Sequence, residues 1–352
     1  MPETLKIAVI AGDGIGREVI PAGVGALEAA ARGSDVSLSF TDFPWGCEFY
    51  KAHGRMLDDD GFERLTQFDA IYLGAIGAPG VPDGASAALI LAIRQRFDQY
   101  VNLRPMRLLP GLTSPLANRS AADIDMVCVR ENSEGEYAGV GGRVHVGTDR
   151  EVAQQTGVFT RHGIERILRY GFELASKRPR KLLASATKSN ALTHAMVLWD
   201  EVAEIVRQDF PGVEYRKYHV DALAARMITH PQTLDVLVTS NLFGDILTDI
   251  GSAISGSLGI APGANINPKR TFPSMFEPIH GSAPDIAGRG IANPIGAIWA
   301  GALMLDHLGR RDLHDRIVSA IERVVAGGRL CTPDLGGNAT TQEVADAITR
   351  EI

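Results

Sequence analysis

The sequence has only three cysteines among 352 residues, Cys47, Cys128 and Cys331. They are scattered, so they form neither a disulfide framework nor a zinc pattern. Long apolar runs are lacking too. The longest uninterrupted apolar and glycine stretch, Ile295 to Leu305, falls far short of the ~20 residues that span a bilayer. Basic charge is in deficit, because 35 Lys and Arg against 42 Asp and Glu leave a net charge of −7. Such a chain has no net attraction for nucleic acid or for an anionic membrane, and neither is expected as a partner. Nothing between Met1 and Lys6 supplies a basic segment leading into a long apolar one, so no signal peptide is expected. There is no internal repeat, low-complexity tract or flexible linker. These absences point to a soluble, reduced, cytoplasmic protein.

What is present reads as a globular enzyme-sized chain. Apolar residues make up 45% and charged residues 22%, which excludes intrinsic disorder. At ~150 residues per domain the length predicts two domains. The 38 glycines, above the ~7% norm, predict many tight turns. An apolar run from Leu5 to Ala11 breaks at Gly12, Gly14 and Gly16 before an amphipathic stretch, Arg17 to Ala31. That is strand, glycine turn and helix, the opening of an α/β protein. Further strands are predicted at Val36–Phe43, Ala70–Leu73, Ile124–Val129, Lys181–Ala186, Glu214–Val220 and Leu234–Val238. Helices are predicted at Ala85–Tyr100, Arg161–Lys177, Leu192–Asp209, Leu242–Ser255, 294–308 and 312–326. Alternation through Arg143 to Gly147 suggests an antiparallel ribbon or arm, and Gly256 to Pro278 reads as a glycine- and proline-rich separator. The change of texture near residues 100 and 256 suggests a central segment inserted into an outer α/β domain.

Several groups could carry chemistry. The first glycine turn has G-x-G-x-G spacing rather than G-x-G-x-x-G, a poor fit to a dinucleotide fingerprint, and a plain strand-to-helix turn explains it equally. Arg94 sits on a helix, Arg104 follows the Asn102-Leu103 turn before Pro105, and Arg130 ends a buried strand. Guanidinium forks match carboxylates, and strand ends are where α/β proteins place ligand groups; pairing with Glu131, Glu134 or Glu136 is the competing reading. Asp245 and Asp249 stand i, i+4 on a helix among apolar residues, which suits a hard cation such as Mg²⁺ or Mn²⁺; a solvated acidic face is the alternative. Lys188, between a strand and a helix, could serve as a base and Tyr137 as an acid, although each residue type is more often a simple surface group. His280 lies in a loop too rich in glycine and proline to be core.

Together these segments resemble the metal-dependent β-decarboxylating hydroxyacid dehydrogenases, the isocitrate and isopropylmalate dehydrogenase family. The resemblance runs from Gly12 to Gly16 through Asn102-Leu103-Arg104-Pro105, Arg130-Glu131-Asn132, Lys188 and Asn241-Leu242-Phe243-Gly244-Asp245. It closes with Glu277-Pro278-Ile279-His280-Gly281-Ser282-Ala283-Pro284-Asp285-Ile286 and Ala292-Asn293-Pro294, covering essentially the whole chain. It implies a two-domain α/β fold with a central cleft and a cofactor site that is not of the Rossmann type. The implied boundaries are a large cofactor domain at 1–103 with 257–352, and a smaller substrate, metal and dimerisation domain at 104–256. It also implies a homodimer with shared active sites. Arg94, Arg104 and Arg130 would hold the substrate carboxylate. Asp245 and Asp249 would hold the metal with Asp221 of the other subunit, which would also supply Lys188 as the base; Tyr137 resembles the acid. NAD would lie against His280, Gly281, Ser282, Ala283, Asp285, Ile286 and Asn293, with Asp285 accepting from the ribose hydroxyls and repelling a 2′-phosphate. A monovalent cation such as K⁺ is compatible with this set.

Within the family, Asp98 to Asn102, Ser185 to Asn190, Pro273 to Pro278 and the Glu131-to-Tyr137 segment look most like tartrate and D-malate dehydrogenases. Ala88 and Ile90 replace the serine and asparagine of isocitrate enzymes and cannot bind a third carboxylate. Ala87 stands where isopropylmalate enzymes carry glutamate. The segment Gly84 to Leu91 departs from the Ser-Leu-Trp element usual in the tartrate and D-malate subgroup, being smaller and more apolar, which keeps 3-isopropylmalate as the alternative substrate. A non-catalytic regulatory subunit is the remote alternative, opposed by the joint presence of Lys188, Tyr137, Asp221, Asp245 and Asp249.

Overall fold

A computed structural model describes residues 3–352. In chain order the elements are β1 (Glu3–Gly12), α1 (Gly16–Ala31), β2 (Val36–Asp42), α2 (Cys47–His53), α3 (Gly61–Leu65), β3 (Ala70–Ala75), α4 (Asp83–Arg96) and β4 (Val101–Arg107). Then come β5 (Asp125–Glu131), β6 (Gly135–Val144), β7 (Val152–Val158), α5 (Arg161–Lys177), β8 (Leu182–Thr187) and α6 (Ala195–Val206). They are followed by β9 (Glu214–His219), α7 (Val220–Thr229), β10 (Val236–Thr239) and α8 (Asn241–Ile254). The chain closes with β11 (Pro262–Ile266), β12 (Ser274–Pro278), α9 (Ile295–His307), α10 (Arg311–Ala326) and α11 (Thr341–Glu351).

The chain divides into two compact units, one of residues 1–99, 104–124 and 252–352, the other of 100–103 and 125–251. This differs from the boundaries expected from the sequence at 100–103 and 252–256 and, most of all, in the segment 104–124. Ser114 Oγ donates to Ile254 O, and Arg107 pairs with Glu322 at 2.6 Å. Gly111, with φ +91°, lies so close to Ala326 that a Cβ would approach its Cα to 2.7 Å. These ties fasten 104–124 to the first unit.

In the first unit the strands run β2-β1-β3-β12-β11, parallel except for the antiparallel β11–β12 pair. This is not the 3-2-1-4-5-6 order of a dinucleotide-binding sheet. Every residue of β3 is buried, as expected of a parallel strand covered on both faces. Ile295 to Leu305, the long apolar run, forms most of α9 and is buried throughout, packing on α1, β12 and β11. The run is therefore a core helix. Among the described residues no helix is long and apolar enough to cross a membrane.

The second unit has four parallel strands in the order β5-β10-β8-β9. α5 covers them with Ile164, Ile167, Leu168, Gly171, Phe172 and Ala175, the i, i+3, i+4 stripe of an amphipathic helix. Thr160 caps it, its Oγ1 accepting from Gly163 N at 2.9 Å. β6 and β7 form a separate antiparallel hairpin on which Val144 and Val152, with Val146 of its turn, are more than half exposed.

Two readings need correction and a third is refined. The Gly256–Pro278 stretch is not merely a separator but contains β11 and β12, whose glycine, prolines and asparagine mask the strand signal. Arg104 lies inside β4 rather than after a turn. The antiparallel ribbon read through Arg143–Gly147 is present as the β6–β7 hairpin, with Arg143 and Val144 at the end of β6 and His145, at φ +54°, in the turn.

Candidate active site

The densest arrangement lies at the end of β5 and the start of α8. Arg130, almost fully buried, projects its guanidinium onto α8. Its Nε and Nη2 donate to Asn241 Oδ1 at 3.0 and 2.7 Å, and its Nη1 donates to Asp245 Oδ1 at 2.5 Å. The Tyr137 hydroxyl donates to the other oxygen, Asp245 Oδ2, at 2.7 Å, and the Arg130 guanidinium carbon lies 5.5 Å from the centre of the tyrosine ring. Burial, the hydrogen bond to Asp245 and its negative charge push the Tyr137 phenol up to about 12. It therefore keeps its proton at neutral pH, as an acid must. Asp249, one turn further along α8, is exposed. The two α8 carboxylates are hard oxygen donors on one helix face, the donor chemistry that Mg²⁺ or Mn²⁺ prefers.

Lys188 and Asp221 form a second, separate pair. Lys188 directly follows the buried β8 and Asp221 sits in the first turn of α7. Lys188 Nζ lies 2.5 Å from Asp221 Oδ1, and this hydrogen bond holds the Asp221 carboxyl below the usual carboxylate range. Asp221 is largely exposed. Among the described residues no three His, Cys, Asp or Glu side chains are grouped to hold a metal ion, so one chain does not bring Asp221 together with Asp245 and Asp249. A metal on α8 would need its remaining ligands from a substrate or from another chain.

In the first unit Arg94, in the last turn of α4, is buried and donates from Nη2 to Glu277 Oε1 at 3.0 Å. Asn265 Nδ2 donates to the same oxygen at 2.7 Å. The sequence reading weighed acidic partners for the arginines but not Glu277, although Glu277 opens the motif that runs to Ile286. Arg104 is likewise buried.

The loop after β12 has its own support. Ile15 N donates to Ser282 O at 2.9 Å, and a Cβ on Gly77 would lie 3.0 Å from Ser282 Oγ. Beneath them Asp13, buried, accepts from Cys47 N at 2.9 Å and Gly77 N at 3.0 Å. The first glycine turn thus cradles Ser282. Ala283 adopts φ +40°, a conformation that L-residues rarely take, while Gly281 faces open space. His280 has a buried Nε2 with no partner among the described residues, and burial lowers its pKa. Asp285 is exposed and makes no hydrogen bond or ion pair among the described residues, which disfavours a capping role. An orphaned ring nitrogen, an open glycine and an uncommitted carboxylate fit a loop that receives a polar ligand such as the adenosine of a dinucleotide. Ile286, half-buried, follows. Asn293 is more committed. Its Oδ1 accepts from Ile295 N at 3.0 Å and its Nδ2 donates to Asp334 Oδ2 at 3.0 Å.

Sequence reasoning missed Asn241, Glu277, Asp13 and Asp334 as supporting residues. The first three lie inside motifs that were singled out, so the signal was there without a partner to give it meaning. Asp334 had none.

Residues 6–348 match the family described as isocitrate/isopropylmalate dehydrogenase, and the chain belongs to that family. It is 55% identical to D-malate dehydrogenase [decarboxylating] of Escherichia coli (strain K12), over 100% of this chain and 99% of that protein. It is 52% identical to tartrate dehydrogenase/decarboxylase of Pseudomonas putida, over 98% of this chain and 97% of that one. The crystal structure of isocitrate dehydrogenase from Methylococcus capsulatus superimposes with a TM-score of 0.89 at 36% identity, covering 99% of both chains.

Proposed function

We propose that this protein is a cytoplasmic, homodimeric dehydrogenase that uses NAD and a divalent cation to oxidise a small 2-hydroxy dicarboxylic acid, D-malate or tartrate, with decarboxylation where a β-carboxylate allows it. The observation that carries this reading is the bonded set Arg130–Asp245–Tyr137 with Asp249 one turn away. It joins a carboxylate-binding cation, two metal-type donors and a protonated phenol, in a chain more than half identical to dehydrogenases named for those two substrates.

Asp245 and Asp249 would hold Mg²⁺ or Mn²⁺ with Asp221 of a second copy, which would bring Lys188 with it because the two are already paired. The exposed valines of the β6–β7 hairpin and the exposed Ile246 on α8 support such a copy. When bound, the cation polarises the substrate oxygen and the nicotinamide accepts the hydride. Lys188 would take the hydroxyl proton at Nζ, and Tyr137 would return a proton from its hydroxyl to the carbon left by departing CO₂. Arg94, Arg104 and Arg130 would anchor carboxylates. Asp285 would accept from the adenosine ribose and disfavour NADP.

A steady-state panel of D-malate, L- and meso-tartrate, 3-isopropylmalate and isocitrate with NAD⁺ and Mn²⁺ tests the reading. The highest kcat/KM is expected with D-malate or a tartrate, and chelator should abolish it. Highest efficiency with isocitrate, or no turnover at all, overturns it. Exposed Ala87 and Ala88 and half-buried Ile90 and Leu91 on α4 favour one second reading, in which an alkyl-bearing 3-isopropylmalate wins the panel.

A further inference from the structure

We propose that Asn241 is a positioning residue that fixes the Arg130 guanidinium in its plane without adding a second negative charge to the Arg130–Asp245 pair. The inference rests on the reading of Arg130 as a ligand of the substrate carboxylate. Asparagine at the start of a helix ordinarily turns its oxygen toward the helix's own free N–H groups. Here Oδ1 accepts from Arg130 Nε and Nη2, while Nδ2 donates to Glu134 O at 2.9 Å. A guanidinium offers only donors, so the amide oxygen has to face it and the nitrogen has to face the carbonyl. Asn241 and Arg130 are 2% and 1% exposed, so neither exchanges these bonds freely with water. The first turn of α8 is shaped for the same purpose. A Cβ at Gly244 would lie 2.6 Å from Arg130 Cγ and 2.7 Å from its Cβ.

A carboxylate at position 241 could make the same two bonds, and charge would strengthen them. The amide forgoes that strength. Arg130 already faces one carboxylate, Asp245, so a second would turn the buried cluster net negative and repel an incoming dicarboxylate. A neutral acceptor gives orientation and adds no negative charge beside the carboxylate to be bound.

The test compares Asn241→Ala and Asn241→Asp with the unaltered protein, using two readouts. The first is the arginine Nε–H signal of Arg130 in a ¹⁵N NMR spectrum, assigned by its loss in Arg130→Lys. The second is the split between KM and kcat for the hydroxy acid that the panel identifies. Asn241→Ala should lose or shift the Nε–H signal and lower kcat/KM about 100-fold, as expected for two hydrogen bonds to a charged group. Asn241→Asp should keep the signal, raise KM about tenfold, and change kcat by less than it raises KM. Asn241→Ser replaces the alanine variant if its amide spectrum shows that it does not fold. An unmoved Nε–H signal in Asn241→Ala overturns the positioning role, and an unmoved KM in Asn241→Asp overturns the argument from charge. If the unaltered protein turns over none of the hydroxy acids, the proposed function fails, and the Nε–H comparison still decides whether Asn241 holds Arg130.

Discussion

Arg130, Tyr137 and Asp245 are bonded to one another, whereas Asp285 and His280 Nε2 of the loop after β12 reach no side-chain partner among the described residues. That loop is held from beneath by backbone, through Ile15 N to Ser282 O, and by glycines that let the turns approach. On the proposed function, the contrast follows from what each region would have to do. Groups that move protons or grip a reacting centre need fixed geometry, and side-chain bonds supply it. Groups that recognise a cofactor by charge need placement and an unfilled hydrogen-bonding capacity, which a braced backbone supplies.

The sharpest break of this comparison comes from Lys188→Ala. It should lower oxidation of the hydroxy acid by up to about 10⁴-fold, the upper end for loss of a general base, with Mn²⁺ binding by calorimetry largely retained. Asp245→Asn should lower activity about 10³-fold and weaken Mn²⁺ binding more than it lowers the melting temperature, since size is nearly unchanged. Retained activity in excess chelator would remove the metal from the scheme. Tyr137→Phe should cost about 10²-fold in decarboxylation of a supplied β-keto acid while hydride transfer suffers less. Equal losses in both half-reactions would reassign the tyrosine.

On the loop side the effects are smaller. Replacing Asp285 with Lys and Ile286 with Tyr together should move cofactor preference at least tenfold toward NADP⁺, about 1.4 kcal/mol, even if total activity falls. An unchanged NAD⁺ preference would leave Asp285 without a role in recognition. His280 gives the smallest effect, on the acid side. Burial holds its pKa below the ordinary value of about 6.5, so the ring is neutral at pH 7 and gains a proton only as pH falls. On the proposed function the neutral Nε2 accepts from the cofactor and the protonated ring no longer can, so the KM for NAD⁺ should rise a few-fold on acidification, and His280→Asn should flatten that rise.

Periodic elements were legible in the sequence. The helix at Arg161–Lys177 follows from an apolar stripe at i, i+3, i+4, and the buried strands carrying Val127 and Leu183 follow from short β-branched and leucine-rich runs. β11 and β12 were not, because Pro262, Gly263, Asn265 and Pro278 are the residues that ordinarily end strands. β11 pairs only in the context of β12, a tertiary fact. At the candidate site the residue types and the α8 spacing could be read directly. Their partners could not, since Arg130 and Asn241 are 111 residues apart and Lys188 and Asp221 are 33 apart, distances that no local period encodes.

The Asp13 carboxylate has one more consequence. It bonds two amides, of Cys47 and Gly77, in turns far apart in sequence, and its own turn holds Ser282 through Ile15. Three chain segments therefore share one buried anchor, and the first of them supports a fourth at Ser282. Amide exchange at Cys47 and Gly77 is expected to follow one common opening, the release of Asp13, so that Asp13→Asn should speed both together.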